Sequence, residues 1–131
     1  MTDTITATGR RKTSVAQVVA TPGGDGAITI NGKPMAEYFR GCPRFQLAAN
    51  APVVAVEAAK TYAYKVKVDG GGVSSQAGAV RHAIARAVAT FSEADHKTVK
   101  KLGYLTRDAR MVERKKPGRP KARRRFQFSK R

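Results

Sequence analysis

The chain has 131 residues, with 26 Lys and Arg against nine Asp and Glu, for a formal net charge of +17. That length is one domain's worth, and a single cysteine, Cys42, excludes an internal disulfide and a thiolate zinc cluster and fits a reducing interior. No apolar run precedes the first arginine as in a signal peptide, the N-terminus is short for a transit peptide, and no stretch approaches membrane-spanning length.

In chain order, residues 13–20 (TSVAQVVA) are β-branched or small and stop at Thr21-Pro22-Gly23-Gly24-Asp25-Gly26, a cluster of turn formers. A first strand follows from this, with an N-terminal arm before it. Residues 27–30 read as a second strand closed by the tight-turn pair Asn31-Gly32, and residues 35–39 as a short helical turn. The stretch RFQLAANAPVVAV after Pro43 mixes helical character before Pro52 with β-branched residues after it, and is read as mostly helix.

Residues 61–69 form the clearest strand, because Tyr62, Tyr64, Val66 and Val68 alternate with Ala63, Lys65, Lys67 and Asp69. One face belongs to the core, the other to solvent or RNA. Gly70-Gly71-Gly72 ends the strand, and Ser74 or Ser75 can cap the helix that follows. On that helix Ala77, Val80, Ile84, Ala87, Val88 and Phe91 share an apolar stripe, with His82 and Arg86 opposite and Arg81 at the border, so its outer face is basic. A last helix is signalled by Ser92 with Asp95 three residues on, and by Lys97, Lys100 and Lys101 before Gly103.

The apolar pattern fades after Leu105, which divides the chain into a body, 1–113, and a tail, 114–131. The body is large enough for a modest core, burying about 65% of its unfolded surface. The tail holds ten Lys or Arg and no acid, in the run RKKPGRPKARRRFQFSKR. So dense a block of one sign repels itself unless a polyanion neutralises it, and nucleic acid is the obvious one.

Several constellations carry a sharp reading beside a plain one. Gly70-Gly71-Gly72 ahead of a helix could cradle a phosphate, but it lacks the spacing of a nucleotide loop and fits a sharp strand-to-helix turn better. His82 and His96 have no nucleophile or metal partner at a recognisable spacing, so they read as a polar-face residue and a solvated first-turn residue. Ser74 and Ser75 lack the flanking glycines of a nucleophile elbow. Gly9-Arg10-Arg11-Lys12 reads as a phosphate clamp at the sheet edge, against a merely solvated end. In the tail, Gly118-Arg119-Pro120 matches the core of an AT-hook, a short motif easily met by chance. Phe126 and Phe128 flank Gln127, so in an extended chain both rings point one way and can stack on bases or dock in an RNA crevice.

Four blocks, GRRKTSVAQV from Gly9, TINGKPMAEYF from Thr29, GGGVSSQAGAVRHAIARA from Gly70, and LTRDARMVERKK from Leu105 running on to FQFSKR at Arg131, resemble the family of the ninth small-subunit ribosomal protein in its bacterial-type form. The resemblance covers nearly the whole chain. It implies a two-layer α+β fold like the second domain of ribosomal protein S5: a four-stranded mixed sheet covered by helices, with a left-handed βαβ crossover and an extended basic C-terminal tail. It implies a structural role in the head of the small subunit, beside neighbouring head proteins, in the cytoplasm or in an organelle that encodes its own copy.

The expected ribosomal RNA (16S-type) contacts are Arg10, Arg11, Lys12, Arg81, Arg86, Arg107, Arg110, Arg114, Lys115, Lys116, Arg119, Lys121, Arg123, Arg124, Arg125, Phe126 and Phe128. Lys130 and Arg131 align with the family's terminal pair and would touch the peptidyl-site tRNA. No catalysis, cofactor, metal or membrane is implied. Ser75 and Ala83 stand where the family often has Gly, and a left-handed backbone at the first would strain Ser75. Pro117 and Pro120 stiffen the tail and leave its charge unchanged. The competing classes are a nucleoid or chromatin protein using the tail as an AT-hook, and a nucleotide-using enzyme, against which the missing nucleotide loop argues.

Overall fold

The computed structural model describes residues 4–40, 42–91, 93–107, 114–119 and 123–124. A hairpin opens the chain: β1 (Ile5–Arg11) pairs antiparallel with β2 (Ser14–Pro22), from Ile5 opposite Ala20 to Arg11 opposite Ser14. The expected N-terminal arm is therefore itself a strand. Its pattern was hard to read because β1 lies at the sheet edge and is only partly buried, with Thr6 and Arg10 exposed and only Gly9 fully covered. Neither a long apolar alternation nor turn punctuation marks such a strand; pairing with β2 creates it.

β2 continues antiparallel onto β5 (Tyr62–Asp69), from Val15 opposite Asp69 to Pro22 opposite Tyr62. The short β3 (Ile28–Ile30) runs parallel to β5, and β4 (Lys33–Pro34) turns back on β3, giving the order β1-β2-β5-β3-β4. The mixed sheet thus has five strands rather than four. The extra strand is two residues long and exists because Asn31 and Gly32, both with positive φ (50° and 82°), reverse the chain tightly enough to pair Ile30 with Lys33. Asn31 also extends the ladder, its side-chain carbonyl accepting from the Val68 N–H (2.9 Å) and its amide donating to the Val68 carbonyl (3.2 Å).

Between the parallel strands β3 and β5 lie α1 (Met35–Tyr38), α2 (Pro43–Ala55) and a single 3-10 turn (Ala58–Thr61). Pro43 stands in the first turn of α2, where its missing N–H costs nothing. The helix runs on through Pro52, which cannot bond the Ala48 carbonyl but is buried, so packing holds the helical reading of this ambiguous stretch.

Then come α3 (Val73–Ala89) and α4 (Glu93–Lys101). α3 lies across β1, β2 and β5, with α2 and α4 against its other sides. All five expected core positions on it, Ala77, Val80, Ile84, Ala87 and Val88, are buried, and so are Gly78, Ala79, Ala83 and Ala85. Its burial therefore extends well beyond the single stripe. Phe91, past the helix, stacks on Tyr62 at 4.2 Å between ring centroids. Tyr64, Phe39, Ile30, Ile84, Val18, Val80, Val88 and Val99 fill the space between sheet and helices, and the Tyr64 hydroxyl donates to the Ala59 carbonyl (2.7 Å).

Candidate nucleic-acid interface

The closest layer contact is also what arranges the cations. A Cβ on Gly9 would fall on the Ala83 backbone nitrogen and the Ala79 carbonyl, so only glycine lets β1 and α3 approach so nearly. The two elements then run alongside each other, with Arg11 against Gly78, Arg10 against His82 and Thr8 against Arg86. Strand alternation sends neighbouring side chains to opposite faces, which puts Arg10 on the open face of the sheet and lays the Arg11 side chain over Gly78 on the helix side. Lys12 follows in the two-residue turn with φ 52°, an uncommon conformation for a residue with a Cβ.

The basic side of α3 does not face open solvent as a free outer face would. It wraps the free edge of β1. Arg86 is exposed, and its Nη1 donates to the Thr8 carbonyl (2.7 Å), while the Arg10 N–H donates to Nδ1 of half-buried His82 (3.2 Å). Two groups of that edge, the Thr8 carbonyl and the Arg10 N–H, are thus occupied by side chains instead of standing open to another strand. From beyond α4 a third arginine joins them, Arg107, whose Nη2 donates to the Lys12 carbonyl (3.4 Å). Arg81 lies over the Tyr104 ring, 5.7 Å from its centroid. Burial first, then the charges of Arg86 and Arg107, hold the His82 imidazole below the ordinary histidine pKa, against the opposing pull of a backbone hydrogen bond with Leu105. At neutral pH it is an uncharged hydrogen-bonding group among arginines.

Arg81, Arg86 and Arg107 thereby gather where α3 and the segment after α4 meet β1 and its turn, against the backbone of Thr8, Arg10 and Lys12. A guanidinium has five N–H donors, so one bond to a carbonyl orients Arg86 or Arg107 and leaves the other donors for a ligand. Such a fork suits phosphate oxygens.

The glycine-rich turn is arranged differently. Gly70 and Gly71 take positive φ (76° and 68°), and a Cβ on Gly71 would meet the Ser14 and Ser75 hydroxyls. Ser75 sits in the first turn of α3 without a left-handed backbone, so the expected strain does not arise. Gly72, not Ser74 or Ser75, occupies the N-cap, and Ser75 Oγ accepts from the Gly72 N–H (3.1 Å). Buried Ser14 Oγ lies 2.8 Å from Ser75 Oγ and donates to the Gly70 carbonyl (2.9 Å). The Gly70 N–H is taken by the Asp69 carboxylate (2.9 Å). With two of three glycine N–H groups used internally and a carboxylate alongside, the turn is structural rather than a phosphate cradle. His96 is exposed in the first turn of α4, and among the described residues no His, Cys, Asp and Glu group could hold a metal ion.

In the tail, Arg114, Lys115, Arg123 and Arg124 are exposed, while Lys116 and Arg119 are half-buried. The described tail residues form neither helix nor strand. At Lys116-Pro117-Gly118-Arg119 the chain bends: Gly118 has φ 77° and the Arg119 N–H returns to the Lys116 carbonyl (3.3 Å), a turn that departs from the extended backbone of an AT-hook. Arg119 Nη1 donates to the Arg123 carbonyl (3.1 Å). Ser92, Arg110, Lys121, Arg125, Phe126, Phe128, Lys130 and Arg131 lie outside the described residues.

Two cations absent from the expected set belong to the surface. Lys65 and Lys67 stand exposed on the helix-free face of the sheet, Lys67 beside Gln17 and Lys65 between Val19 and Thr29. Their alternation with Tyr64 and Val66 was the available signal.

Comparison with known proteins agrees with this architecture. The family model described as ribosomal protein S9/S16 matches residues 9–131. Relatives called small ribosomal subunit protein uS9 align over the full length of both chains, at 53% identity in Chlorobium phaeobacteroides, 52% in Chlorobium luteolum and 47% in Gemmatimonas aurantiaca. With nearly the whole chain matched by the model and about half its residues shared with full-length relatives, this protein belongs to the ribosomal protein S9/S16 family.

Proposed function

We propose that the protein is a non-catalytic constituent of the small ribosomal subunit that binds 16S-type ribosomal RNA in the subunit head, among neighbouring head proteins, and extends its tail to the peptidyl-site tRNA. The observation that carries this reading is the convergence of Arg81, Arg86 and Arg107 on the edge formed by β1 and its turn, which itself carries Arg10 and Lys12. The ten cations of residues 114–131 begin seven positions after Arg107 in sequence. A rigid basic edge selects an RNA surface by position, and a basic tail adds contacts that depend on charge more than on shape.

Arg114, Lys115, Lys116, Arg119, Lys121, Arg123, Arg124 and Arg125 would neutralise phosphates, Arg110 would bridge body and tail, and Phe126 and Phe128 would stack on bases. Lys130 and Arg131 would meet the tRNA backbone. The protein would act in the cytoplasm, on the ribosome. The test is cosedimentation with small subunits at high salt, followed by peptidyl-site tRNA affinity and frameshifting in ribosomes whose copy lacks Lys130 and Arg131. Retained cosedimentation with weaker tRNA binding is expected. Loss of cosedimentation at high salt would refute the subunit assignment, and wild-type tRNA binding and frameshifting would refute the tRNA contact.

A further inference from the structure

The two faces of the sheet are used differently. On the helix side Val18, Ile30, Tyr64 and Val66 are buried in the core. On the other face the register lines up Thr8 of β1, Gln17 of β2 and Lys67 of β5, and beside them a second row of Thr6, Val19, Lys65 and, on β3, Thr29. Gln17, Lys65 and Lys67 are exposed, and with Val19, Thr29 and Asn31 they line an open hollow of about 480 Å³. Among the described residues, no ion pair and no side-chain hydrogen bond engages Gln17, Lys65 or Lys67. The one acid that the described strands place on this face, Asp69 at the end of β5, is occupied in accepting from the Gly70 N–H (2.9 Å). These lysines therefore differ from Arg86 and Arg107, each of which already bonds a carbonyl of its own chain.

We propose that the helix-free face of the sheet is a second RNA surface, which holds the backbone of an RNA duplex through Lys65, Lys67 and Gln17. The proposal deepens the RNA-binding reading and rests on it. Three features select this occupant. Lys65 and Lys67 stand two residues apart on one strand, about 7 Å at the usual strand rise, so each can meet a phosphate of the same RNA strand. Gln17 and the hydroxyls of Thr8 and Thr29 offer both donors and acceptors, which suits the 2′-hydroxyls that A-form RNA displays across its wide, shallow minor groove. The face carries no aromatic ring, because Tyr62 and Tyr64 alternate to the helix side. Splayed single-stranded bases thus find nothing to stack on, and a protein partner finds none of the large side chains that anchor protein interfaces. Arg10 stands at a corner of the same face, opposite Val15, so this surface is continuous with the β1 edge against which Arg86 and Arg107 lie.

The test uses the full-length protein as wild type, as the pair Lys65→Gln with Lys67→Gln, and as the pair Lys65→Arg with Lys67→Arg. All three should melt alike, because both side chains are exposed. Against a transcript of the small-subunit rRNA head, the Gln pair should lower the slope of log affinity against log salt by roughly 1.4 to 1.8. Its deficit relative to wild type is then about tenfold larger at about 50 mM salt than at about 200 mM. The Arg pair should bind like wild type. Lysine acetylation read by mass spectrometry locates the contact: the transcript should protect Lys65 and Lys67, and so should a mixed-sequence RNA duplex of about 16 base pairs, whereas a single strand of that length should not. Equal protection by the single strand would overturn the duplex assignment. A transcript that binds with both lysines still reactive would overturn this face alone and leave the β1 edge as the body's RNA contact. Protection that appears only in assembled small subunits would give the face to a neighbouring protein and overturn the proposal equally. Failure of wild type to bind the transcript at all would refute the RNA reading itself, and this face with it.

Discussion

Gly9 shows how one missing atom shapes the candidate interface. With a Cβ the strand would strike the backbone of α3 itself, which cannot move aside as a flexible side chain can. Gly9→Ala should destabilise the fold by about 3 kcal/mol, the upper part of the usual range for overpacking, measured by urea unfolding. A loss under about 1 kcal/mol would mean that β1 and α3 separate easily. The Ser14 and Ser75 hydroxyls act on a comparable scale, because each satisfies the other and both bond the glycine turn. Ser75→Ala should cost about 1 to 3 kcal/mol by leaving a buried hydroxyl and the Gly72 N–H short of partners. Adding Ser14→Ala should then cost less than its effect alone, since the pair is one network. Strict additivity in a double-mutant cycle would show that the two hydroxyls act independently. Ser75 in place of Gly is therefore an added cap rather than a source of strain.

At the level of elements, α3 serves both core and surface. Its small buried residues let the sheet and the other helices close around it, and the side chains left over, His82 and Arg86, reach past the edge of β1. Arg81→Gln with Arg86→Gln should remove a cation–π contact and one hydrogen bond, for a loss of about 1 to 2 kcal/mol that leaves the fold intact. The same pair should weaken binding to head-domain rRNA and lower the slope of log affinity against log salt by roughly 1.4 to 1.8, the release expected for two phosphate contacts. An unchanged slope would mean that these guanidinium groups serve only the edge of β1. Lys65 and Lys67, on the opposite face of the sheet, make a control: replacing them should leave the fold untouched and separates an edge-only footprint from one that includes the sheet.

For the whole molecule, the proposed function divides the labour between a body that would recognise by position and a tail that would bind by neutralisation. Deleting residues 114–131 removes ten cations and none of the core residues among those described, so the truncated protein should melt near the wild-type temperature. Its RNA affinity should depend much less on salt, with the slope flattened by several units if half or more of those cations engage phosphate. A tail that contributes nothing to the slope does not bind backbone. The sequence alone determined the basic character of the chain and of its last eighteen residues, the alternation of β5, the Asn31-Gly32 reversal, the core stripe of α3 and the family resemblance. Each of these is written in local spacing or in charge, which a chain carries whether or not it is folded. Only the tertiary structure decided that β1 is a strand and that β4 exists, because an edge strand takes its identity from a partner's hydrogen bonds rather than from its own apolar pattern. It also brought together the pairs Arg10 with His82, Thr8 with Arg86 and Lys12 with Arg107, which stand 72, 78 and 95 positions apart in the chain. Periodicity says which face of its own element a side chain occupies, but not which distant backbone group completes its hydrogen bonds. That pairing follows from how closely the layers pack, and here it turned on a glycine.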